Sequence, residues 1–202
     1  ACYQYRYVVT DRVSNRDVVA SANVSKINAG PPLGTASSFS VLAGTSVVNT
    51  GASGVSGDLG VSPSNTISGF PPGTVAGTIH AGDSTAAQAL ADLGTAYTDV
   101  SHRTPSGEFS GDLNGRTFHD GIYHTAAALA LTGTVTLDAQ GDPNAIFIFQ
   151  VDAAANTAAS SSVSLINGAL ASHVFWQVNG AMGTGASTAF AGTEISNPSS
   201  PV

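Results

Sequence analysis

Ala145-Ile-Phe-Ile-Phe-Gln-Val151 returns, altered but recognisable, as His173-Val-Phe-Trp-Gln-Val178, and the two Gln-Val pairs lie 27 residues apart. Flanking the first of them, Val135-Thr-Leu137 returns as Val163-Ser-Leu165, 28 residues on. A third pair, Ser56-Gly-Asp-Leu-Gly60 and Ser110-Gly-Asp-Leu-Asn114, ties the first half of the chain to the second. Recurrence at a period of about 20–50 residues marks a solenoid, in which each coil buries its apolar face only against its neighbours. Such a fold exposes long, flat faces, and a flat face suits a binder better than an enzyme.

The 202 residues suffice for one sizeable domain. Only 9% of them are charged, against about 25% in ordinary soluble domains. Glycine is abundant, and Ala, Ser and Thr supply much of the rest. A hydrophobic content of 42%, with regularly spaced Val, Leu, Ile and Phe, argues against disorder. The surface must therefore be built from Ser, Thr, Asn, Gly and Ala rather than from ion pairs.

Charge divides the chain in two. Residues 1–32 carry Arg6, Arg12, Arg16 and Lys26 against Asp11 and Asp17. From Leu33 onward only Arg103 and Arg116 are basic, against eleven acids, a net charge of −9. An acidic body without basic clusters speaks against nucleic acid and anionic membrane as partners. The change of character sets a boundary near Ala29-Gly-Pro-Pro32: residues 1–32 are a segment without strand rhythm or assigned role, a linker, a remnant or a strand that docks on the body. Cys2 stands alone, so no intrachain disulfide forms. No leader is legible, but the chain begins at Ala1 rather than Met, which is compatible with removal of one. No apolar run reaches the length of a membrane span.

From Leu33 short strands are expected at Phe39–Ala43, Thr45–Thr50, Val55–Ser62, Thr66–Phe70 and Thr74–His80, with a corner forced by Pro71-Pro-Gly73. The period then changes. Thr85-x-x-Gln88 has the form of a capping box, and Leu90, Leu93, Tyr97 and Val100 form one apolar stripe of a helix over about 85–101, ended by Thr104-Pro105. Strands resume at Gly121–His124, Ala128–Leu131, Thr134–Leu137, Ala145–Val151, Ser162–Ile166 and His173–Val178. Spacings of 24 from Tyr123 to Phe147 and 27 from Phe147 to Val174 fit a coil of three strands and three corners. The fold expected is mostly β, a right-handed triangular β-helix solenoid with one long helix packed alongside. A β-sandwich is the architectural alternative.

Leu33-Gly-Thr-Ala-Ser-Ser-Phe-Ser-Val-Leu-Ala-Gly44, Gly57-Asp-Leu-Gly-Val-Ser-Pro63, Gly69-Phe-Pro-Pro-Gly73, the run from Leu131 to Gln150, and Val174-Phe-Trp-Gln-Val178 resemble the microbial ice-binding (antifreeze) proteins. The resemblance covers residues 33–193 in consistent order. It implies a secreted, non-catalytic, discontinuous triangular β-helix whose broad Thr/Ser/Ala/Asn face adsorbs to ice and blocks crystal growth and recrystallisation. It assigns residues 33–202 to that domain and implies an ice surface as partner, with no cofactor, no metal, and a monomer. Two departures accompany it. Residues 1–32 do not look like the family. Family members also run on for about one to two coils beyond the Gly-Thr at 192–193, lying between their first and middle coils, whereas Glu194-Ile-Ser-Asn-Pro-Ser-Ser-Pro-Val202 stops.

Aligned by the family pattern, the outward candidates are Ser46, Val48, Thr50, Thr66, Ser68, Ala128, Ala130, Thr132, Ala154, Asn156, Ala158 and Thr184. Any one of these could instead be an ordinary solvent-facing residue on another face; a one-residue error of register turns an assignment inward. Ice is an array of neutral donors and acceptors, so small hydroxyls and methyls suit it better than charges. Thr is stiff at χ1, which keeps such a surface preordered.

Catalytic alternatives rest on Glu108, Asp112 and Asp120 near His119 and His124, where two carboxylates could reach a retaining-glycosidase separation. Turn and corner roles explain the same residues, since Asp120-Gly121 is a turn signal. Asp138 to Asn144 loosely resembles a calcium loop but lacks its Gly and terminal Glu. His80, His102, His119, His124 and His173 have no zinc spacing apart from cross-coil neighbours. An adhesion or matrix β-helix, and a carbohydrate-active β-helix enzyme with an exposed Trp176 beside an acid, remain the competing functional classes.

Overall fold

A computed structural model of the chain describes residues 29–196 and, as backbone alone, the strands β1 (Arg6–Thr10) and β2 (Arg16–Ala20). β1 and β2 pair antiparallel, with Val8 opposite Val18. The sequence shows no strand rhythm here and leaves a strand as one of three readings: both strands are short, begin with a charged residue and lack a Gly or Pro between them. Much of the expected boundary segment, like residues 197–202, lies outside the described residues.

Every other strand pairing among the described residues is parallel. The first stack opens with a 3-10 turn at Gly34–Ser38, followed by β3 (Phe39–Ala43), β4 (Ser46–Val48) and β5 (Gly54–Val55). Its second coil is β6 (Asp58–Val61), β7 (Thr66–Ser68) and β8 (Thr74–Val75), and β9 (Ile79–Ala81) begins a third. Helix α1 (Ser84–Ser101) then leads to the second stack. There the strands are β10 (Gly107–Glu108), β11 (Thr117–Phe118), β12 (Gly121–Thr125), β13 (Leu129–Leu131), β14 (Thr134–Asp138), β15 (Phe147–Val151), β16 (Ala155–Thr157) and β17 (Ser162–Ile166). β18 (Val174–Val178), β19 (Met182–Gly183) and β20 (Thr193–Ser196) complete it.

The sheets are β3-β6-β9, β4-β7 and β5-β8 in the first stack, and β10-β12-β15-β18-β20, β13-β16-β19 and β11-β14-β17 in the second. Each full coil gives one strand to each of three faces, which is the triangular solenoid expected. Helix α1 separates the two stacks in sequence, so the β-helix is discontinuous.

The repeat that opened the sequence is a register. Phe147 pairs with Val174, Phe149 with Trp176 and Gln150 with Gln177. The expected pairing of Tyr123 with Phe147 is off by one pleat: Gly121 faces Phe147, and Tyr123 faces Phe149. Tyr123, Phe149 and Trp176 therefore stack into one inward column, with ring centroids 5.7 Å and 4.2 Å apart. Such aromatic pairs add about 0.5–1.5 kcal/mol each beyond the area they bury. Trp176 keeps 2% of its surface, and its indole N–H donates to the Ala191 carbonyl at 3.0 Å. The Ser-Gly-Asp-Leu repeat is a local device rather than a stacked coil. Asp58 Oδ1 accepts the Thr78 amide at 2.8 Å, and Asp112 Oδ1 accepts the Thr132 amide at 3.0 Å, each reaching 20 residues ahead.

α1 lies over the β12-β15-β18 sheet. Ala96 and Val100 pack there with Ile122, Ile146, Ile148, Phe175 and Ile195. The buried face is richer in alanine than the leucine stripe suggested, with Ala86 and Ala89 also fully buried; a small side chain lets helix and sheet approach closely. The cap also differs from expectation. Asp83 is the N-cap, accepting the Ala86 amide at 2.9 Å, while Gln88 donates to Asp92 instead of turning back. Asp83 is also held by His80 Nδ1 at 2.7 Å, which places its carboxylate at the helix start ahead of Thr85.

The repeated glutamines face the helix. Gln150 Nε2 donates to the Val100 carbonyl at 2.6 Å and the Arg103 carbonyl at 2.9 Å, satisfying acceptors at the helix end. Gln177 Nε2 donates to the Tyr97 hydroxyl at 3.0 Å. Replacing Gln150 with Leu keeps the bulk but removes the side-chain donor from both carbonyls, leaving that of Val100 with the Arg103 amide at 3.1 Å. Urea unfolding of Gln150→Leu is expected to lose about 1–3 kcal/mol, and an unchanged midpoint would contradict this role.

Candidate functional site

One face of each stack carries the outward candidates. In the first stack β4 and β7 run parallel, with Ser46 beside Thr66 and Val48 beside Ser68. All four are exposed, as is Thr50, while Val47 and Ile67 turn inward. Val48 keeps 66% of its surface, an unusual exposure for a valine in a strand. Below them Asn49 Nδ2 donates to the Gly51 and Gly69 carbonyls at 2.6 Å and 2.9 Å, which locks the corner. Gly69 is required there: its φ is +83°, and a Cβ would sit 1.8 Å from the Asn49 carbonyl oxygen.

In the second stack the same role falls to β13-β16-β19. Ala130 pairs with Asn156 and Asn156 with Gly183, while Leu129, Leu131, Ala155 and Thr157 are buried between them. In the same register Ala128 stands beside Ala154, and Thr132 beside Ala158. Ala128, Thr132, Asn156 and Ala158 are exposed, and Ala130 and Ala154 are half-buried. Strands in such a sheet lie about 4.8 Å apart and alternate side chains about 6.7 Å along each strand. The result is a regular grid of small groups.

Thr184 does not join this grid. Asn156 faces Gly183, so Thr184 falls opposite the inward-pointing Thr157 and lines a cleft with Met182 and Phe190. The glycines on either side left no alternation to read. Those glycines are needed where the last coil lies against its neighbour: a Cβ on Gly183 would come within 2.7 Å of Asn156 Oδ1, and one on Gly185 within 2.4 Å of the Ala158 backbone.

Sequence reasoning missed Asp112 on the same column, where it bridges to Ala130. The Thr132 hydroxyl donates to the Asp112 carboxylate, and this bond first of all holds the carboxyl below the usual aspartate range. The Ser-Gly-Asp-Leu repeat was the signal that could have found it. Otherwise the columns hold Ala, Ser, Thr, Val, Asn and Gly.

Of the residues considered for catalysis, Glu108 and His124 come together and the others serve separate corners. Asp120 accepts the Ile146 amide at 2.7 Å, and Asp112 serves Thr132. His119 lies 4.0 Å from Asp138. His124 bridges coils: its Nδ1 is 2.8 Å from Glu108 Oε2 and its Nε2 is 3.1 Å from Asp152 Oδ2. Both ring nitrogens are therefore engaged by carboxylates. Among the described residues no group of three or more His, Cys, Asp or Glu is arranged to hold a metal ion. Trp176 is core, with Glu194 as its neighbour on the next strand.

Glu108 first, then Asp152, push the His124 pKa upward. A histidine raised in the fold above its ordinary value of about 6.5 stabilises most below that pH, and this contribution fades as pH rises through the folded value. The Tm deficit of His124→Gln relative to the parent is expected to be larger near about pH 5.5 than near about pH 9. An equal deficit at both would contradict an ionic clamp.

Comparison with known proteins agrees with this architecture. The Ice-binding-like family model matches residues 41–199, and the chain belongs to that family. An ice-binding protein of Nostoc sp. (strain HG1) is 44% identical over 161 residues, which is 79% of this chain and 60% of that protein. The chain thus spans about 60% of the length of that relative. Among solved structures, an ice binding protein from an Antarctic biological consortium superposes with a TM-score of 0.80 at 45% identity, over 82% of this chain and 77% of that one. The ice-binding protein of the ascomycete Antarctomyces psychrotrophicus gives 0.73 at 33% identity, over 82% and 99%.

Proposed function

We propose that this chain adsorbs to ice through the two-part face formed by β4-β7 and β13-β16-β19, and so inhibits ice growth and recrystallisation. The observation that carries the reading is the outward grid itself. Ser46, Thr66, Val48 and Ser68 in one patch, and Ala128, Ala130, Thr132, Ala154, Asn156 and Ala158 in the other, are small or β-branched and uncharged, on parallel strands in register. Membership of a family of ice-binding proteins supports it.

Each contact in such a face is weak, so holding a growing crystal requires many of them at once on a rigid, flat plane. Methyl groups and hydroxyls held at fixed spacing can retain a layer of ordered water that merges with the lattice. A charge would orient that water differently, and in the second patch the carboxylate of Asp112 is engaged by Thr132 at the edge. Adsorption needs no cofactor and no bond-making step. In this reading the protein works outside the cell as a monomer, where ice first forms.

A bulky ring on the grid should lift the protein off the plane. Asn156→Tyr and Val48→Tyr are each expected to need roughly tenfold more protein for the same thermal hysteresis, about 1.4 kcal/mol of adsorption. Ser164→Tyr, on the β11-β14-β17 face, should leave hysteresis unchanged. Equal loss for all three, with intact circular dichroism, would contradict the assignment of the face.

A further inference from the structure

Asn-Gly pairs occur three times in the chain, at Asn114-Gly115, Asn167-Gly168 and Asn179-Gly180. An asparagine before glycine is prone to lose its side-chain amide, because the glycine has no side chain to hinder its backbone nitrogen. The reaction begins when base removes the glycine N–H proton. The nitrogen then attacks the asparagine Cγ, ammonia leaves, and a five-membered succinimide forms. Water opens that ring at either carbonyl, giving aspartate or its β-linked isomer. Overall, one amide and one water become one carboxylic acid and one ammonia. An N–H held in a hydrogen bond is shielded from base, the same shielding that slows its exchange with solvent. Sequence makes the three pairs alike, and the fold separates them.

The Gly115 amide donates to the Thr134 carbonyl at 2.8 Å and the Gly180 amide to the Ala153 carbonyl at 3.2 Å, each bond crossing to a neighbouring coil. Gly168 differs. Asn167 and Gly168 are the central residues of a turn closed by the Ala169 amide on the Ile166 carbonyl at 3.1 Å, with φ of +51° and +91°. The turn's own hydrogen bond leaves the Gly168 amide unused, and among the described residues that amide has no acceptor. Both Asn167 and Gly168 are exposed. The coil that follows is in place and rounds this corner through residues 190–192, where its predecessor uses 167–173, so the exposure belongs to the corner itself. We propose that Asn167 is a site of spontaneous deamidation, closed into its succinimide by the Gly168 nitrogen, and that Asn114 and Asn179 are protected from it.

Asn167 ties two coils together. Its Nδ2 donates to Asp138 Oδ1 at 2.8 Å, and its carbonyl accepts the Gly141 amide at 2.9 Å. Deamidation removes the Nδ2 donor and sets a carboxylate against that of Asp138, whose side chain keeps only 18% of its surface. Like charges so placed on neighbouring strands repel, and the corner between β14 and β17 loosens as the protein ages. No residue of the outward grid lies at this corner, so the inference is independent of what that grid binds.

Incubating the full chain at mildly alkaline pH and mapping its peptides by mass spectrometry tests this. Aspartate and its isomer should accumulate at position 167 about tenfold faster than at 114 or 179, and the Gly168 amide should exchange with deuterium faster than those of Gly115 and Gly180 by a similar factor. In the urea-unfolded chain the three deamidation rates should converge. Asn167→Asp, which makes the ordinary product directly, should melt about 2–4 °C below the parent at neutral pH. Asn114 or Asn179 reacting as fast as Asn167 in the folded chain, a protected Gly168 amide, or a rate difference that persists in urea overturns the site. An unchanged Tm in Asn167→Asp overturns the loosening of the corner.

Discussion

Parallel stacking in strict register is the constraint on which everything else rests. Because each strand sits directly above its counterpart, whatever one coil places at a position the next coil places there again. On the inside this gives the column Tyr123, Phe149 and Trp176. Under the helix it gives Ile122, Ile148 and Phe175, followed by His124, Gln150 and Gln177. On the outside it gives Ala130, Asn156 and Gly183. The core fixes the register, and the register makes the outward face flat and periodic.

Covering a solenoid requires something on each exposed apolar face. The chain meets this with one helix, whose alanines allow close packing and whose carbonyls at the end are taken by Gln150. The remaining outward residues are left uncharged, which is why charged residues are so scarce. Charges that do occur mostly have structural work: Asp83 caps the helix, Asp58 and Asp112 hold backbone amides ahead of them, and Glu108, His124 and Asp152 clip successive coils. Groups that resembled catalytic candidates in sequence are corner and clamp residues.

The fold was legible because aromatic strands recur at nearly constant spacing, and the helix because its apolar period departs from theirs. Sequence could not tell which way Gln150 and Gln177 point, since polar residues inside a strand ordinarily read as solvent-facing and here they meet helix carbonyls. Tyr123 was paired one pleat early because the turn between β14 and β15 lengthens its coil. Of the candidate face, Ser46, Val48, Thr66 and Ser68 and the Ala130–Asn156 column were placed together by simple alternation. Thr184 was not, because Gly183 and Gly185 carry no side chains to reveal the parity. β20 was missed altogether: Thr193-Glu-Ile-Ser196 has no aromatic residue, and an exposed Glu194 stands in register with the buried Trp176.

The most direct measurement is to grow a single ice crystal from a solution of the chain labelled with a fluorophore at Cys2 and to image where the dye is taken up. The account predicts fluorescence frozen into defined crystal planes, with Asn156→Tyr dimming those planes. Ice that grows dark, expelling the folded and labelled protein into the remaining liquid, would contradict it.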